Sequence, residues 1–515
     1  MTKSRDLGDL AQTVAVNLPS SLGSASQVLH VNSGATALEF ADAAGGGSIQ
    51  LTASGALSSG DPVVVNSDGT VSVVESTAQA VGTPAVFDAT NSTENSSTFD
   101  SSNNKVVVFY KNSSSYPAAK VGTVSGLSTS FGSEVVVKSA TSNIYQNSAA
   151  FDSSNNKVVF AWKDNGNSGY GTAVVGTVSG TSISFGTPVV FESAASADMA
   201  VLFDSSNNKV VIGYRDQANS HYGTAIVGTV SGTSISFGSP TVFEAARIDL
   251  LSGAFDSSNN KVIFAYQDEG NSNRGTAVVG TVSGTSISFG SGQVFNTSIT
   301  YETSVVFDTN ANKIVIAYRD GGGSNHGTAI VGTVSGTSMT FGTSVKFEES
   351  TVENPRAVFD SNSNKVNVFF DDSGSNDLEG VAGTVSGTSI SFGSAFTVST
   401  DQPSDKGITP TFDSNSNVVN VAFSNFTQGD TYNVVFRNTS TNLTAGNFIG
   451  FSDAAYSDAA TATIELVGSV NTGQSGLTAG QSYYVQTDGT LSTTADDPSV
   501  LAGIAISATG IIVKG

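Results

Sequence analysis

The sequence predicts an all-β fold: a seven-bladed β-propeller of four-stranded blades with small flanking β modules. Three observations carry this. Phe-Asp pairs begin at residues 99, 151, 203, 255, 307, 359 and 412, a repeat of about 52 residues. Each copy contains four short strand patterns separated by turn signals. No 3.6-residue apolar period runs through any copy, so helices are not expected. Four-stranded units of this length, repeated in tandem, describe a propeller.

The copy from Ser196 to Glu244 justifies each element in order. "SADMAVLFD" reads as a first strand, "SSNN" as a turn and "KVVIGYRD" as a second strand. "QANSHYG" is a loop, "TAIVGTV" a third strand, "SGTS" a turn and "ISFGSPTVFE" an interrupted fourth strand. The second and third strands are nearly continuous apolar runs, which suit a sheet buried on both faces. Pro84, Pro188 and Pro240 fall in the fourth strand, where a free outer edge tolerates a missing N–H.

The last copy stops early. After "VVNVAFSN" and "TYNVVFRN" no "GTVSGTSISFG" follows. "GTPAVFD" (Gly82 to Asp88) precedes the first copy and matches "GTPVVFE" (Gly186 to Glu192). The segment around residues 70–88 is therefore expected to supply the outer edge of the last blade, closing a ring. The implied divisions are 1–46, an attachment segment ending in the linker "AAGGG"; 47–80, a small β module; 81–437, the propeller; and 438–515, a second β module. "ALSSGDPVVVNSDGTVSVV" (Ala56 to Val74) echoes "GLTAGQSYYVQTDGTLSTT" (Gly476 to Thr494), each with an Asp-Gly hairpin signal.

Composition narrows the partners. The net charge is −22, which repels phosphate backbones and argues against nucleic acid. With no cysteine, neither disulfides nor thiolate metal sites are available. No apolar run is long enough to span a bilayer as a helix, and no signal-peptide core follows the basic N-terminus. No membrane insertion is expected.

Comparing the copies separates two faces. The "DSSNNK" and "VSGTS" turns are nearly uniform and share one face. The second loops ("KDNGNSGYG", "RDQANSHYG", "QDEGNSNRG", "RDGGGSNHG") and the crossovers ("ESAASADM", "EAARIDLL", "NTSITYET", "EESTVENP") vary and share the other. A variable face on a repeated scaffold suits a surface that touches an asymmetric partner. A triplet ends the second strand there: Trp162-Lys163-Asp164, Tyr214-Arg215-Asp216, Tyr266-Gln267-Asp268 and Tyr318-Arg319-Asp320. Aromatic rings stack on sugar faces and charged groups hydrogen-bond hydroxyls, so these are candidate glycan ligands. The same triplets also read as blade-to-blade core with a repeated ion pair. Tyr170, His221, Tyr222, Arg274 and His326 come from the loops and are candidates no repeat demands.

No catalytic pattern stands out, and the chain is read as a non-enzyme. His30, His221 and His326 lack metal-ligand spacing, "DSSNNK" has one carboxylate, and no nucleophile elbow or phosphate loop occurs. No metal or cofactor is expected. The Asp turns depart from those of sialidase propellers: Phe precedes the Asp and Asn fills the turn. Arg215, Arg319 and Arg356 fall in separate copies without evident grouping. A carboxylate pair for glycoside hydrolysis leaves no sequence signature.

The ends carry a family resemblance. "SSLGSASQVLHVNSGATALEFADA" resembles N-terminal parts of tail-fibre and other virion structural proteins of tailed phages, especially marine cyanophages. The stretch from "NFIGFSDAAYSDAATATIELVGS" to "LAGIAISATGIIVKG" is similar to a module frequent in the same group. The resemblance implies a virion-borne fibre or spike, joined to tail or head proteins through its N-terminal segment. Its propeller would present a face to a host-surface glycan or protein receptor. Fibres of this class are often trimers, so the end segments are candidates for trimerisation. A purely structural virion component and a polysaccharide depolymerase are the other two readings.

Overall fold

The computed structural model describes residues 27–31, 38–42, 47–89, 93–139, 144–322, 324–403, 407–425 and 429–514. Expectations for residues 1–26 and for the "AAGGG" linker, apart from Gly47, lie outside them. The chain divides into two compact units: residues 78–439, and residues 1–77 with 440–515. Both are built from antiparallel strands, and the described residues otherwise contain only two single-turn 3-10 segments, Asn165–Asn167 and Glu269–Asn271.

In the unit spanning 78–439, every repeat forms an antiparallel sheet. Its order is visible at Ile144–Asp152, Lys157–Asp164 and Tyr170–Ser179, which pair in sequence. Ser182–Phe185 and the first half of Val189–Asp204 then share the outer edge of Tyr170–Ser179. Pro188 sits in the break between them. The crossovers read as loops are instead strand. Val189–Asp204, Thr241–Asp256, Gln293–Asp308 and Val345–Asp360 each begin on the outer edge of one sheet and continue as the first strand of the next. Two bulges make this possible. In Val189–Asp204 the pairing shifts around Gly171 and again between Ala197 and Ala200, and bulges bend a strand without ending it.

The continuous apolar runs are buried on both faces, as expected. Val159, Ala161, Ala173 and Val175 of one sheet pack against Val210, Ile212 and Tyr214 of the next. The other face of that next sheet carries Val211, Ala225 and Val227 against Val262, Phe264 and Tyr266.

The row of sheets returns on itself. Thr409–Asp413, Val418–Ser424 and Thr431–Arg437 pair in order, and Ala80–Val81 and Ala85–Asp88 complete their edge. This sheet is bonded to the first: Asn95 donates to Gly407 O at 3.0 Å, and Thr129 to Asn420 at 2.6 Å. It also meets the sheet before it through stacked Phe396 and Phe436, 4.6 Å apart, and the Asn438–Asp360 hydrogen bond.

The repeated phrase "FDSSNNK" has a defined task. Asp152, 1% exposed, accepts the N–H groups of Ser154 and Asn155 at 3.0 Å each and the Asn155 amide at 2.9 Å. Asn156 closes the turn at φ 53, a left-handed conformation that Asn tolerates. Turns also join to one another: the hydroxyls of Ser102, Ser154 and Ser206 donate to Asn156, Asn208 and Asn260 of the following copy.

The "FG" glycine is equally determined. A Cβ at Gly186 would overlap the carbonyl oxygen of Thr233 in the next copy's "SGTS" turn. Gly82 stands likewise against Leu127. Gly393 has no such neighbour, because the last repeat lacks that turn; its nearest contact would be 3.8 Å away. Gly186→Ala is therefore expected to cost about 2 kcal/mol from overpacking, with Gly393→Ala near neutral. Thermal melts of the two variants check this, and equal melting temperatures would refute it.

The other unit contains two five-stranded sheets. One runs Ser48–Thr52, Thr461–Glu465, Phe448–Ser452, Pro62–Val65, Val71–Val73; the other Val470–Asn471, Ile511–Val513, Val500–Ala505, Ser482–Val485, Leu491–Ser492. Both Asp-Gly hairpins are present, with Gly69 at φ 84 and Gly489 at φ 81. A further hairpin, Gln27–Val31 with Leu38–Asp42, forms where the sequence offered little strand signal.

Candidate ligand-binding site

The first strand of each repeat has an edge not paired within its own sheet. These edges surround a cavity of about 580 Å³. Serine hydroxyls link neighbouring edges: Ser148, Ser252 and Ser304 accept the N–H groups of Val201, Val305 and Ala357 at 3.0, 3.0 and 2.9 Å. In each of the first six repeats the residue six before the turn aspartate takes a positive φ: Glu94 (56°), Gln146 (47°), Asp198 (48°), Leu250 (55°), Glu302 (39°) and Asn354 (50°). All six line the cavity. Left-handed backbone is costly outside glycine, and strain of this kind concentrates at functional sites.

The wall below is less polar, with Ala149, Val201, Leu202, Gly253, Ala357 and Ile408. The mouth lies at the end of the sheets that carries the variable loops and crossovers, since Tyr145 pairs with Lys163 and Asp164 with Tyr170.

The mouth is a network of charges and amides. Gln146 donates to Asp198 at 2.8 Å, and its N–H donates to Glu94 at 2.9 Å. Arg215 bridges Asp198 at 2.9 Å and Asp249 at 3.2 Å. Arg319 pairs with Glu302 at 2.8 Å, reaches Glu353 at 3.6 Å and lies over the Tyr301 ring, 4.7 Å from its centroid. Arg356 also lines the cavity. Two arginines that the sequence left ungrouped, Arg319 and Arg356, thus line one opening, and Arg215 is bonded to its rim through Asp198. Among the described residues no group of three or more metal-ligating acids or histidines forms.

The aromatic candidates require correction. Trp162, Tyr214 and Tyr266 are 0% exposed and Tyr318 1%. They are core between sheets, because residues at this register face the neighbouring sheet. Trp162 stacks on Phe160 at 5.1 Å. Tyr214 and Tyr266 donate to Glu192 and Glu244 at 3.0 and 3.1 Å. Burial pushes the hydroxyl pKa of all three tyrosines up, so they remain neutral donors.

Most of the charged candidates are also occupied. Asp164 is buried and paired with Lys138 at 2.7 Å, while Lys163 donates to Gln217 of the next repeat at 3.1 Å. Asp216 and Asp320 cap their loops through the N–H groups of Ala218 and Gly322. Asp268 caps Asn271, and burial raises its pKa.

The loop candidates remain at the surface. Tyr170, Tyr222, Arg274 and His326 hold one equivalent position, half-buried, each opening a third strand. Arg274 donates to Thr297 O at 3.3 Å, and His326 stands 3.8 Å from Glu349. His221 at φ 63 occupies the left-handed slot filled by Gly169, Asn273 and Asn325 elsewhere, which makes it a turn residue.

The fold is propeller-like. No family model matches the chain, and no curated protein matches it. Among solved structures it is similar to the lectin BP39L from Burkholderia pseudomallei, at 11% identity and a TM-score of 0.54, over 68% of this chain and 98% of that one. The C-terminal WD40 domain of Sif2 matches at 14% identity and a TM-score of 0.42, over 70% and 98%. A variant of the Aleuria aurantia lectin in complex with Fucalpha1-6GlcNAc matches at 12% and 0.38, over 59% and 96%.

Proposed function

We propose that this chain is a glycan-binding, seven-bladed propeller carried on a phage fibre or spike, a binding protein and not an enzyme. The cavity mouth carries the binding proposal: six strained positions of varied polarity ring an opening on the face where the loops vary. Carboxylates, amides and guanidinium groups over an apolar floor suit a hydroxyl-rich ligand. Asn95 and Asn147 each leave a side-chain oxygen without a protein partner there. The fold shared with a lectin supports the reading, and the phage resemblance of the chain ends supplies the virion, the host surface as partner and a trimer through the end segments.

Binding of the full chain to a glycan array and to susceptible cells tests this. Glu353→Ala removes an exposed mouth carboxylate while leaving the Arg319–Glu302 pair, and is expected to weaken binding about tenfold. Ser234→Ala, in a turn on the opposite face, should leave it unchanged. If no glycan or cell binds, the binding proposal fails. Imaging that places the chain inside the particle would overturn the fibre assignment.

A further inference from the structure

Arg356 is the one long, charged residue at a position held by serine or alanine in the five preceding repeats. Where Ser148, Ser252 and Ser304 accept an N–H from the next repeat, the third repeat has Ala200, which cannot, and the sixth has Arg356. The residue that would donate to it is Pro410, which has no N–H. Both halves of the scaffold link are therefore missing at this one junction, and the arginine is released from structural duty into the cavity it lines.

Among the described residues no carboxylate pairs with Arg356 directly. The guanidinium donates to the Pro355 carbonyl at 3.0 Å, and among the described residues no carboxylate stands within ion-pair distance of it. The acids nearby are committed elsewhere: Glu302 and Glu353 to Arg319, Asp198 to Arg215, Glu94 to the Gln146 N–H. Enclosure draws the Arg356 pKa below the ordinary arginine value, with Glu302 opposing, but an arginine stays protonated. A half-buried cation whose opposing charge, Glu302, already pairs with Arg319 is unfavourable. The guanidinium fork matches a carboxylate through two parallel hydrogen bonds.

We infer that Arg356 anchors the carboxylate of an acidic sugar, a uronate or sialate unit, bound in the cavity. This rests on the glycan-binding reading above and adds the ligand class.

The test compares the full chain with Arg356→Ser, which restores the residue of the neighbouring repeats, and with Arg356→Lys, which keeps charge but loses the fork. Matched neutral, carboxylated and sulfated glycans are arrayed. Oligogalacturonate and its methyl ester are titrated calorimetrically. Carboxylated glycans should bind the native chain about tenfold or more above their neutral counterparts. Arg356→Ser should abolish that preference while melting no lower, and Arg356→Lys should weaken it. Equal affinity for acid and ester, unchanged preference in Arg356→Ser, or a preference for sulfate would overturn the inference while glycan binding stands. No binding by any glycan would overturn both.

Discussion

Arg215→Ala is expected to destabilise the repeat unit by about 3–5 kcal/mol, the range for removing one member of a buried ion pair. Arg215 is 8% exposed and bridges Asp198 and Asp249, carboxylates of two successive repeats. Asp198 and Asp249 are partly buried, with side-chain exposures of 8% and 28%. Removing the guanidinium leaves two negative groups facing each other in a chain whose net charge is already −22. Asp198 keeps its hydrogen bond from Gln146 at 2.8 Å, so the loss is partial rather than a collapse. Denaturant midpoints at unchanged slope measure it. Adding Asp249→Asn removes one unmatched charge and should recover part of the loss. A deficit below about 1 kcal/mol, in the range of exposed pairs, would show that solvent screens this bridge.

The same residue shows what sequence could and could not convey. The tandem copies exposed the strand order, the two faces and the edge supplied by Ala80–Val81 and Ala85–Asp88, because each follows from comparing copies. They did not expose the direction of Tyr214 or Trp162. An aromatic at a fixed step of 52 satisfies a ligand face and a sheet interface equally well, and only the register across strands decides. Arg215, one position further along, turns toward the cavity mouth by the same alternation. The mouth itself was hidden in segments such as "ESAASADM", read as crossover loops. A bulge puts one residue of each into left-handed backbone, a feature set by pairing and not by residue type. One signal was present. Counting six back from each turn aspartate gives Glu, Gln, Asp, Leu, Glu, Asn and, in the last copy, Gly, a changing residue inside a constant frame.

Uniform turns and a changing mouth follow from one constraint. The "SSNN" hydroxyls and the "FG" glycines each contact the next repeat, so a change in one copy must suit its neighbour. The mouth residues meet neighbouring repeats through side chains of varied type, as Gln146 meets Asp198 and Arg215 meets Asp249, and where both partners of the serine link are lost, at Arg356 and Pro410, a residue of different chemistry enters. Variation is thus permitted where a ligand would be recognised.

Asn367→Val combined with Asn433→Ala is expected to stabilise the unit by about 2–4 kcal/mol. Asn367 is 0% exposed, and neither its side-chain oxygen nor its nitrogen has a protein partner. Five other repeats place Val107, Val159, Val211, Ile263 and Val315 at this register. The strand partner opposite Asn367 is Ala382, where five repeats have Val121, Val175, Val227, Val279 and Val331, so space for a valine exists. Asn433 is 3% exposed and makes one long hydrogen bond, 3.4 Å to Asn420, while its own oxygen lacks a partner. Ala119, Ala173, Ala225, Ala277 and Ala329 are its counterparts. Each unmatched buried polar group costs about 1–3 kcal/mol. The two sites share no bond, so their effects should add. Both sit in the last two sheets, where the chain closes on its beginning. Thermal and denaturant unfolding of the double variant should show the gain. Hydrogen exchange should show slower opening of Val418–Ser424 and Thr431–Arg437. A lower melting temperature would mean that these amides hold internal water as part of the closure.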